Sequence, residues 1–192
     1  MTPLVYLFVP ADSRRKIAKA FGSEADAVIL DLEDGVAPAQ KVVARPVLQE
    51  AVRALRQEAL RQRSPLKPFY IRCNDVRSTH FADDLALIAE LRPAGVMLPK
   101  YEEEEDIAAL AGVLGDMEIL PLVESVAGIR ALQRAATLPP QIKRLAFGAV
   151  DYALDLGAGW TTSGAERQFA MQQLVFLSRA LELEPPLDAV FP

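Results

Sequence analysis

The chain has 192 residues, with 21 Lys and Arg against 26 Asp and Glu and a net charge of -5. This acidic balance argues against a nucleic-acid partner, because a nucleic-acid-binding domain usually carries a basic face. The single cysteine, Cys73, excludes an internal disulfide, and the first apolar run ends at Pro10, far short of a membrane span and without a basic leader. We therefore expect one cytoplasmic domain over residues 1–192, with no membrane partner.

Apolar runs bounded by Gly, Pro or charged residues alternate with amphipathic stretches along the chain, which indicates alternating strands and helices. The predicted strands cover residues 5–9, 26–31, 69–74, 95–100, 119–123, 145–147 and 187–191. The predicted helices are one that ends at Phe21 with a cap at Asp12 or Ser13, one over 46–61, one around 81–88, one that opens at 102–106, one after Ser125 and one over 167–181. Alternation of this kind is typical of right-handed βαβ units and a parallel sheet.

Polar residues at the strand ends favour a closed barrel over an open sheet. Five of them follow predicted strands two to six: Asp31, Arg72, Lys100, Glu124 and Asp151. In an open sheet, with strands roughly 4.8 Å apart, these groups would spread over about 20 Å, whereas at the mouth of a barrel they can meet one small ligand. We therefore predict a TIM-type (β/α)8 barrel, in which active-site residues lie at the carboxyl ends of the strands.

A barrel of this type needs eight strands, and the sequence provides seven. The predicted barrel is therefore truncated after the seventh strand, with the C-terminal strand and lid region missing. Either that end of the barrel has been lost, or another subunit covers the gap, or the sequence is part of a longer protein.

Glu124 and Asp151 follow two successive predicted strands and offer carboxylate oxygens. Such a pair suits a hard divalent cation such as Mg²⁺, which takes oxygen ligands and keeps positions open for substrate. Each acid could instead cap the helix that follows it. From these residues alone, both interpretations stay open.

Several short segments, in this order, resemble one known family. They are Leu7-Phe-Val-Pro10, Ala25-Asp-Ala-Val-Ile-Leu-Asp-Leu-Glu-Asp34 with Val36, Lys41 with Ala44-Arg45, Arg72 with Asn74, Leu98-Pro-Lys100, Glu124-Ser-Val-Ala-Gly128, and Phe147-Gly-Ala-Val-Asp-Tyr152 with Asp155-Leu-Gly157. Their order and spacing over residues 4–192 are similar to those of the citrate lyase β-subunit-like proteins of the HpcH/HpaI aldolase superfamily.

The resemblance implies a (β/α) barrel, a bound magnesium ion, and carbon–carbon cleavage or formation between a CoA thioester and a 2-oxo acid. By the same resemblance, Glu124 and Asp151 are the metal ligands and bind substrate through the metal, and Arg72 clamps the substrate carboxylate. Phe8 and Lys19 match positions that contact CoA in related malyl-CoA lyases. Ser13 stands where those enzymes carry an arginine.

The resemblance also implies an oligomer, most often a trimer. In malyl-CoA lyases a lid beyond the matched region donates a catalytic aspartate to the neighbouring subunit, and nothing in this sequence matches that lid. We therefore predict a homo-oligomer whose contacts involve residues 167–181 or the chain end.

The chemistry requires a base for the substrate hydroxyl and a group for its carboxylate. Asp31 and Asp34 are the candidate bases. Arg72 suits the carboxylate because its planar fork can bind two oxygens, although a salt bridge to Asp31 or Glu124 is the alternative for this arginine.

The predicted function is a magnesium-dependent lyase that cleaves a 3-hydroxyacyl-CoA, such as citryl-, malyl- or citramalyl-CoA, to acetyl-CoA and a 2-oxo acid. Two alternatives stay open: a thioesterase acting on the same substrates, and a non-catalytic homologue that binds ligand without turnover.

Overall fold

Each pair of consecutive strands in the described chain is joined through a helix, as the sequence pattern predicts. The computed structural model describes residues 3–189. Its strands are β1 (Tyr6–Pro10), β2 (Ala27–Asp31), β3 (Phe69–Arg72), β4 (Gly95–Leu98), β5 (Glu118–Val123) and β6 (Ala146–Phe147). Its helices are α1 (Arg14–Phe21), α2 (Lys41–Gln62), α3 (Phe81–Leu91), α4 (Glu104–Leu114), α5 (Val126–Arg134), α6 (Ala149–Asp155) and α7 (Ala165–Ala180). The predicted parallel α/β class is confirmed.

The chain divides into two compact units, with the boundary between Met97 and Leu98. In the first unit, β1 to β4 pair in parallel and in sequence order. The register sets Pro10 beside Asp31, and Asp31 beside Arg72, at the carboxyl ends of their strands. All five residues of β2 are buried, as expected for a central strand of a parallel sheet covered on both faces.

Helix α1 begins where the sequence predicts. Of the two predicted caps, Ser13 is the one that acts: its Oγ accepts the Lys16 N–H at 3.4 Å. This bond satisfies one of the N–H groups that lack a partner within the first helical turn.

Helix α2 begins five residues before its predicted start at Pro46, which corrects the boundary. A short 3₁₀ turn at Pro38–Gln40 leads directly into Lys41, and Ala44 and Leu48 are both fully buried. The apolar stripe therefore extends further towards the N-terminus than the sequence pattern indicated. Pro46 is tolerated inside the helix because it removes one hydrogen bond near the helix start, where tertiary packing already holds the chain.

In the second unit, β5 and β6 pair in parallel, with Val123 beside Phe147. Helix α7 packs against α5 and α6. Leu187 makes an isolated parallel bridge to Ala146: its N–H donates to Leu145 at 2.8 Å, and its carbonyl accepts the Phe147 N–H at 3.1 Å.

The predicted seventh strand over 187–191 is therefore reduced, in the described chain, to the bridge at Leu187. Two physical causes limit it. Pro185 and Pro186 have no N–H with which to extend the pairing backwards, and the Asp188 carboxylate takes the Ala189 N–H at 2.7 Å. Residues 190 and 191 of that prediction lie outside the described residues.

Among residues 3–189, no helix is both long and apolar enough to cross a bilayer.

Candidate functional site

Arg72 ends β3 and pairs with Asp31 at the end of the neighbouring strand. Its Nε donates to Asp31 Oδ1 at 2.8 Å, and its Nη2 donates to Asp31 Oδ2 at 2.6 Å. The pair is bidentate, and Asp31 is 3% exposed. The strand register alone brings the two side chains together, because Asp31 and Arg72 are register partners in β2 and β3.

The backbone after β2 holds the Asp31 carboxylate from its other side. The Glu33 N–H donates to Oδ1 at 2.8 Å, and the Gly35 N–H donates to Oδ2 at 2.7 Å. Gly35 is required for this approach, since a Cβ there would clash with Asp31 Oδ2 and lie 3.1 Å from Asp31 Cγ. Each oxygen of Asp31 thus accepts two hydrogen bonds, so action as a base would require breaking one of them.

Glu33 is a further acid beside Arg72, and it was not among the predicted site residues. Its Oε2 lies 3.2 Å from Arg72 Nη1, and the residue is 4% exposed. The signal was present, because Glu33 follows Asp31 by two positions in the acidic segment after β2. Asp34, by contrast, is exposed.

Phe8 of β1 contacts the face of the same guanidinium, with Arg72 Cζ 5.2 Å from the ring centroid. Burial opposes the charge on Arg72, but the hydrogen bonds and charge of Asp31, together with the charges of Glu33 and Asp34, raise its pKa overall. The guanidinium therefore stays charged at every relevant pH.

Asn74, two residues after Arg72, belongs to a buried polar network. Asn74 donates from its N–H and its Nδ2 to Asp84 Oδ2, at 2.8 and 2.6 Å. Arg45 of α2 donates to Asp84 Oδ1 at 2.9 Å. Asp84 is 0% exposed, so these bonds supply the partners that a buried carboxylate needs. The sequence pattern did not indicate the role of Asp84, because its partners come from other elements.

Cys73, next to Arg72 in the chain, is fully buried, and its Sγ donates to the Met97 carbonyl at 3.6 Å. Burial, reinforced by the charge of Asp84, raises the pKa of the thiol. A buried thiol of this kind is an inert packed residue.

In the second unit, Glu124 follows β5 directly and is 4% exposed. Its Oε1 accepts the backbone N–H of Lys100 at 2.8 Å. Lys100 has a φ of 52°, a left-handed conformation that is uncommon for a residue with a side chain. Lys100 therefore contacts this acid through its backbone.

Gly148 brings the neighbouring strand end against Glu124. Val123 pairs with Phe147, and the Gly148 N–H donates to the Val123 carbonyl at 3.0 Å. A Cβ at Gly148 would clash with Glu124 Oε2 and lie 2.6 Å from Glu124 Cβ. Only glycine leaves the space that this carboxylate occupies.

Asp151 lies three residues after Gly148, in the first turn of α6, and is half-buried. Glu124 and Asp151 therefore follow adjacent paired strands of one unit. Neither acid caps the helix that follows it. Ser125, not Glu124, caps α5, with its Oγ accepting the Gly128 N–H at 3.1 Å. Within residues 3–189, the side-chain carboxylate of Asp151 accepts no hydrogen bond from a backbone N–H.

The donor set fits magnesium. Two carboxylates offer hard oxygen ligands, and no group of three or more His, Cys, Asp and Glu among the described residues could hold a metal ion. Magnesium usually keeps several waters and binds through one or two carboxylates, so Glu124 and Asp151 would be sufficient as its protein ligands. Glu124 is buried, and its Oε2 lies where a side chain at position 148 would otherwise be. This placement of the carboxylate is the structural observation behind the fit.

Three predicted residues stand apart from these contacts. Lys19 is exposed in the last turn of α1, and Asp34 is exposed after β2. Among residues 3–189, the side chains of Lys19, Asp34 and Asp151 make no hydrogen bond or ion pair with other residues. The predicted CoA-contact role of Lys19 rests on the resemblance alone. The same holds for Phe8, which the structure places against Arg72.

These observations define a parallel α/β protein of the kind that binds small ligands at the carboxyl ends of its strands. The chain belongs to the HpcH/HpaI aldolase/citrate lyase family, whose model matches residues 4–191. This match confirms the resemblance inferred from the short segments.

Two curated relatives are similar to the chain over most of its length. The chain is 34% identical over 180 residues to a citrate lyase subunit beta-like protein of Deinococcus radiodurans, covering 90% of this chain and 61% of the relative. It is 27% identical over 175 residues to a (3S)-malyl-CoA thioesterase of Cereibacter sphaeroides, covering 91% of this chain and 58% of that protein. The chain thus spans about three fifths of the length of these curated relatives.

A solved structure matches over nearly the whole chain. The citrate lyase beta subunit of Mycobacterium tuberculosis, complexed with oxaloacetate and magnesium, superposes with a TM-score of 0.78 at 32% identity. The match covers 98% of this chain and 79% of that structure.

Proposed function

We propose that the protein is a magnesium-dependent lyase that cleaves a 3-hydroxyacyl-CoA to acetyl-CoA and a 2-oxo acid. The observation that carries this proposal is the buried carboxylate of Glu124, held by the Lys100 N–H and set against Gly148. It is supported by the family match and by the relative whose structure holds magnesium and oxaloacetate.

Glu124 and Asp151 would hold the magnesium ion. When bound, magnesium polarises the substrate hydroxyl and the adjacent carboxylate and stabilises the carbonyl that develops there. Two carboxylates balance its charge and leave coordination positions for a bidentate ligand. Arg72 binds the substrate carboxylate through N–H groups that Asp31 does not use.

We assign the proton-accepting role to Asp34 rather than Asp31. The four hydrogen bonds to Asp31 occupy its carboxylate, whereas Asp34 is exposed and available. In cleavage, the hydroxyl proton passes to the base, the carbon–carbon bond breaks to form the oxo acid, and the released acetyl carbon takes up a proton. Phe8 and Lys19 are the residues proposed for CoA contact.

The TIM-type barrel is part of the same proposal. The described strands are fewer than such a barrel contains, and the match to the M. tuberculosis structure supports the assignment of this chain to that architecture.

Incubation of the chain with citryl-, malyl- and citramalyl-CoA, with and without Mg²⁺, tests the activity. We expect release of acetyl-CoA and a free 2-oxo acid only when Mg²⁺ is present. Glu124→Gln should abolish this release, while Glu58→Gln, which removes an exposed carboxylate on α2, should not. If none of the three thioesters turns over, the lyase proposal is wrong; magnesium and oxaloacetate binding without turnover would identify a non-catalytic homologue.

A thioesterase is the second candidate, and the match to the (3S)-malyl-CoA thioesterase favours it. The two activities differ in their products. A lyase yields acetyl-CoA and an oxo acid, whereas a thioesterase yields a hydroxy acid and free CoA. Chromatography of the products, with a thiol reagent to detect CoA, separates them.

A further inference from the structure

The guanidinium of Arg72 is contacted by three other side chains. Asp31 takes the Nε and Nη2 hydrogens at 2.8 and 2.6 Å, Glu33 lies 3.2 Å from Nη1, and Phe8 covers one face at 5.2 Å. Both acids are almost completely buried. An arginine bound in this way has little rotational freedom.

These contacts leave one edge of the guanidinium for a ligand. Asp31 occupies the side edge formed by Nε and Nη2. At the end edge, formed by Nη1 and Nη2, Nη2 keeps its second N–H. Nη1 carries two N–H groups, and the Glu33 carboxylate 3.2 Å away can take one of them, so both nitrogens can still donate to a carboxylate.

We propose that Asp31 and Glu33 are positioning residues for Arg72, which fix its end edge towards the substrate carboxylate, and that Phe8 holds the plane of the guanidinium. The inference rests on the proposed function, since it concerns the arginine assigned there to the substrate. It replaces the predicted role of Asp31 as a base and gives Glu33 a role that the sequence did not assign.

The segment that carries the two acids is itself fixed. Lys41 Nζ donates to the carbonyls of Leu32 and Glu33 at 3.0 and 2.9 Å. Asn74 Nδ2 donates to the Leu32 carbonyl at 3.0 Å. These bonds, from α2 and from the residues after β3, hold the backbone between Asp31 and Glu33 before any ligand arrives. The arrangement is therefore preorganised, and binding does not have to order it.

Positioning and simple charge compensation predict opposite results for Glu33→Gln. Removal of a negative charge beside Arg72 strengthens its attraction for an anion, so an electrostatic effect alone would tighten oxo-acid binding. Loss of orientation weakens binding instead, because both hydrogen bonds of the end edge become misaligned.

The first measurement follows the Nε–H resonance of Arg72 in the ligand-free protein by ¹⁵N NMR, with the assignment made from Arg72→Lys. We expect slow hydrogen exchange in the wild type and exchange faster by about tenfold or more in Glu33→Gln and in Phe8→Leu. Phe8→Tyr keeps a ring on the guanidinium and should restore slow exchange. Glu58→Gln is the matched control with the same change in charge. Unchanged exchange in both Glu33→Gln and Phe8→Leu would overturn the proposal.

The second measurement is calorimetric titration with oxaloacetate in the presence of Mg²⁺. We expect Glu33→Gln to weaken oxaloacetate binding by about tenfold, with Mg²⁺ affinity in the absence of oxaloacetate unchanged. Equal or tighter oxaloacetate binding would overturn the positioning role. If the wild type binds no oxaloacetate, the proposed function fails. The exchange rate of the Arg72 Nε–H still decides whether Asp31 and Glu33 fix the guanidinium. Asp31→Asn is a third variant. If it folds, the exchange rate of its Arg72 Nε–H is measured in the same way.

Discussion

At the scale of single residues, two glycines decide where buried carboxylates can lie. Gly35 leaves room for Asp31 Oδ2, and Gly148 leaves room for Glu124 Oε2. Neither role was readable from the sequence, because a glycine after a strand looks the same whether it ends a strand or admits a neighbouring side chain. The sequence did indicate the acids themselves, since each follows a predicted strand.

Gly148→Ala should disturb Glu124 directly. The new Cβ would meet Glu124 Oε2 and Cβ, so we expect a loss of about 1–3 kcal/mol in the free energy of unfolding, the range typical of overpacking. Mg²⁺ affinity should fall at the same time, because the carboxylate must move. Urea unfolding and Mg²⁺ titration measure the two effects. Gly159→Ala is the control, since a Cβ there meets nothing within 4 Å. Equal behaviour of the two variants would contradict the prediction.

Tyr101 provides a test of pH dependence. The residue is fully buried, and within the described chain its hydroxyl has no hydrogen-bond partner. Burial, together with the charges of Glu104 and Asp106, raises its pKa to about 12. The phenol is therefore more easily ionised in the unfolded chain. Its contribution to stability is complete below about pH 10 and is lost as the pH rises through about 12.

Tyr101→Phe should accordingly reduce the loss of stability between pH 7 and pH 11 by about 1 kcal/mol. At pH 7 the variant should be as stable as the wild type or more so, because it removes a buried hydroxyl without a partner. Urea unfolding of the variant and of the wild type at pH 7, 9, 10 and 11 gives the comparison. Parallel curves for Tyr101→Phe and the wild type would contradict this assignment.

At the scale of elements, α2 and α3 are joined through Arg45, which pairs with the neighbouring acids Asp83 and Asp84 at 2.9 Å each. The sequence predicted both helices but not this link. Helical periodicity identifies the face that is buried, yet it does not identify a buried acid whose partners lie on another helix and after a strand. The start of α2 was predicted five residues too late for a similar reason. Pro46 indicated a helix start, but tertiary packing of Ala44 extends the helix back to Lys41.

The two acids give a matched pair of variants. The Asp84 side chain is 0% exposed and the Asp83 side chain is 69% exposed, although both bind Arg45. Asp84→Asn should cost about 3–5 kcal/mol in the free energy of unfolding, because it removes the buried counter-charge of Arg45 and leaves only the exposed Asp83. Asp83→Asn should cost less than about 1 kcal/mol. Chemical denaturation measures both, and similar costs would show that burial does not control this link.

At the scale of the whole molecule, the parallel α/β class follows from the alternation of apolar and amphipathic segments, and the family follows from short motifs spread along the chain. The ending of the chain was harder to predict. Residues 187–191 read as a strand by composition, but Pro185, Pro186 and the Asp188 side chain restrict the described pairing to Leu187. The pairing of Arg72 with Asp31 was foreseen as an alternative, whereas Glu33 was missed because its partner is chosen by tertiary structure.

Assembly is a prediction at this scale. Helix α7 exposes large apolar side chains: Phe169 is 60%, Val175 is 59% and Phe176 is 67% exposed. Grouped exposure of this kind is typical of interaction surfaces. We expect the chain to form a homo-oligomer, with a trimer favoured, through α7 or the chain end. Light scattering should give a multiple of 21.0 kDa, and Phe176→Ser should shift the population towards monomer. Val113→Ser, on α4, is an exposed apolar control. A stable wild-type monomer would contradict this expectation.

The position of the metal tests the central claim most directly. Crystals of the chain grown with Mn²⁺ in place of Mg²⁺, in the presence of oxaloacetate, would locate the ion by its anomalous scattering. We predict one peak within about 2.2 Å of an oxygen of Glu124 and an oxygen of Asp151, the distance expected for a small divalent cation on carboxylates. A peak on other residues, or an empty position between well-ordered Glu124 and Asp151 side chains at saturating Mn²⁺, would contradict the assignment of these acids as metal ligands.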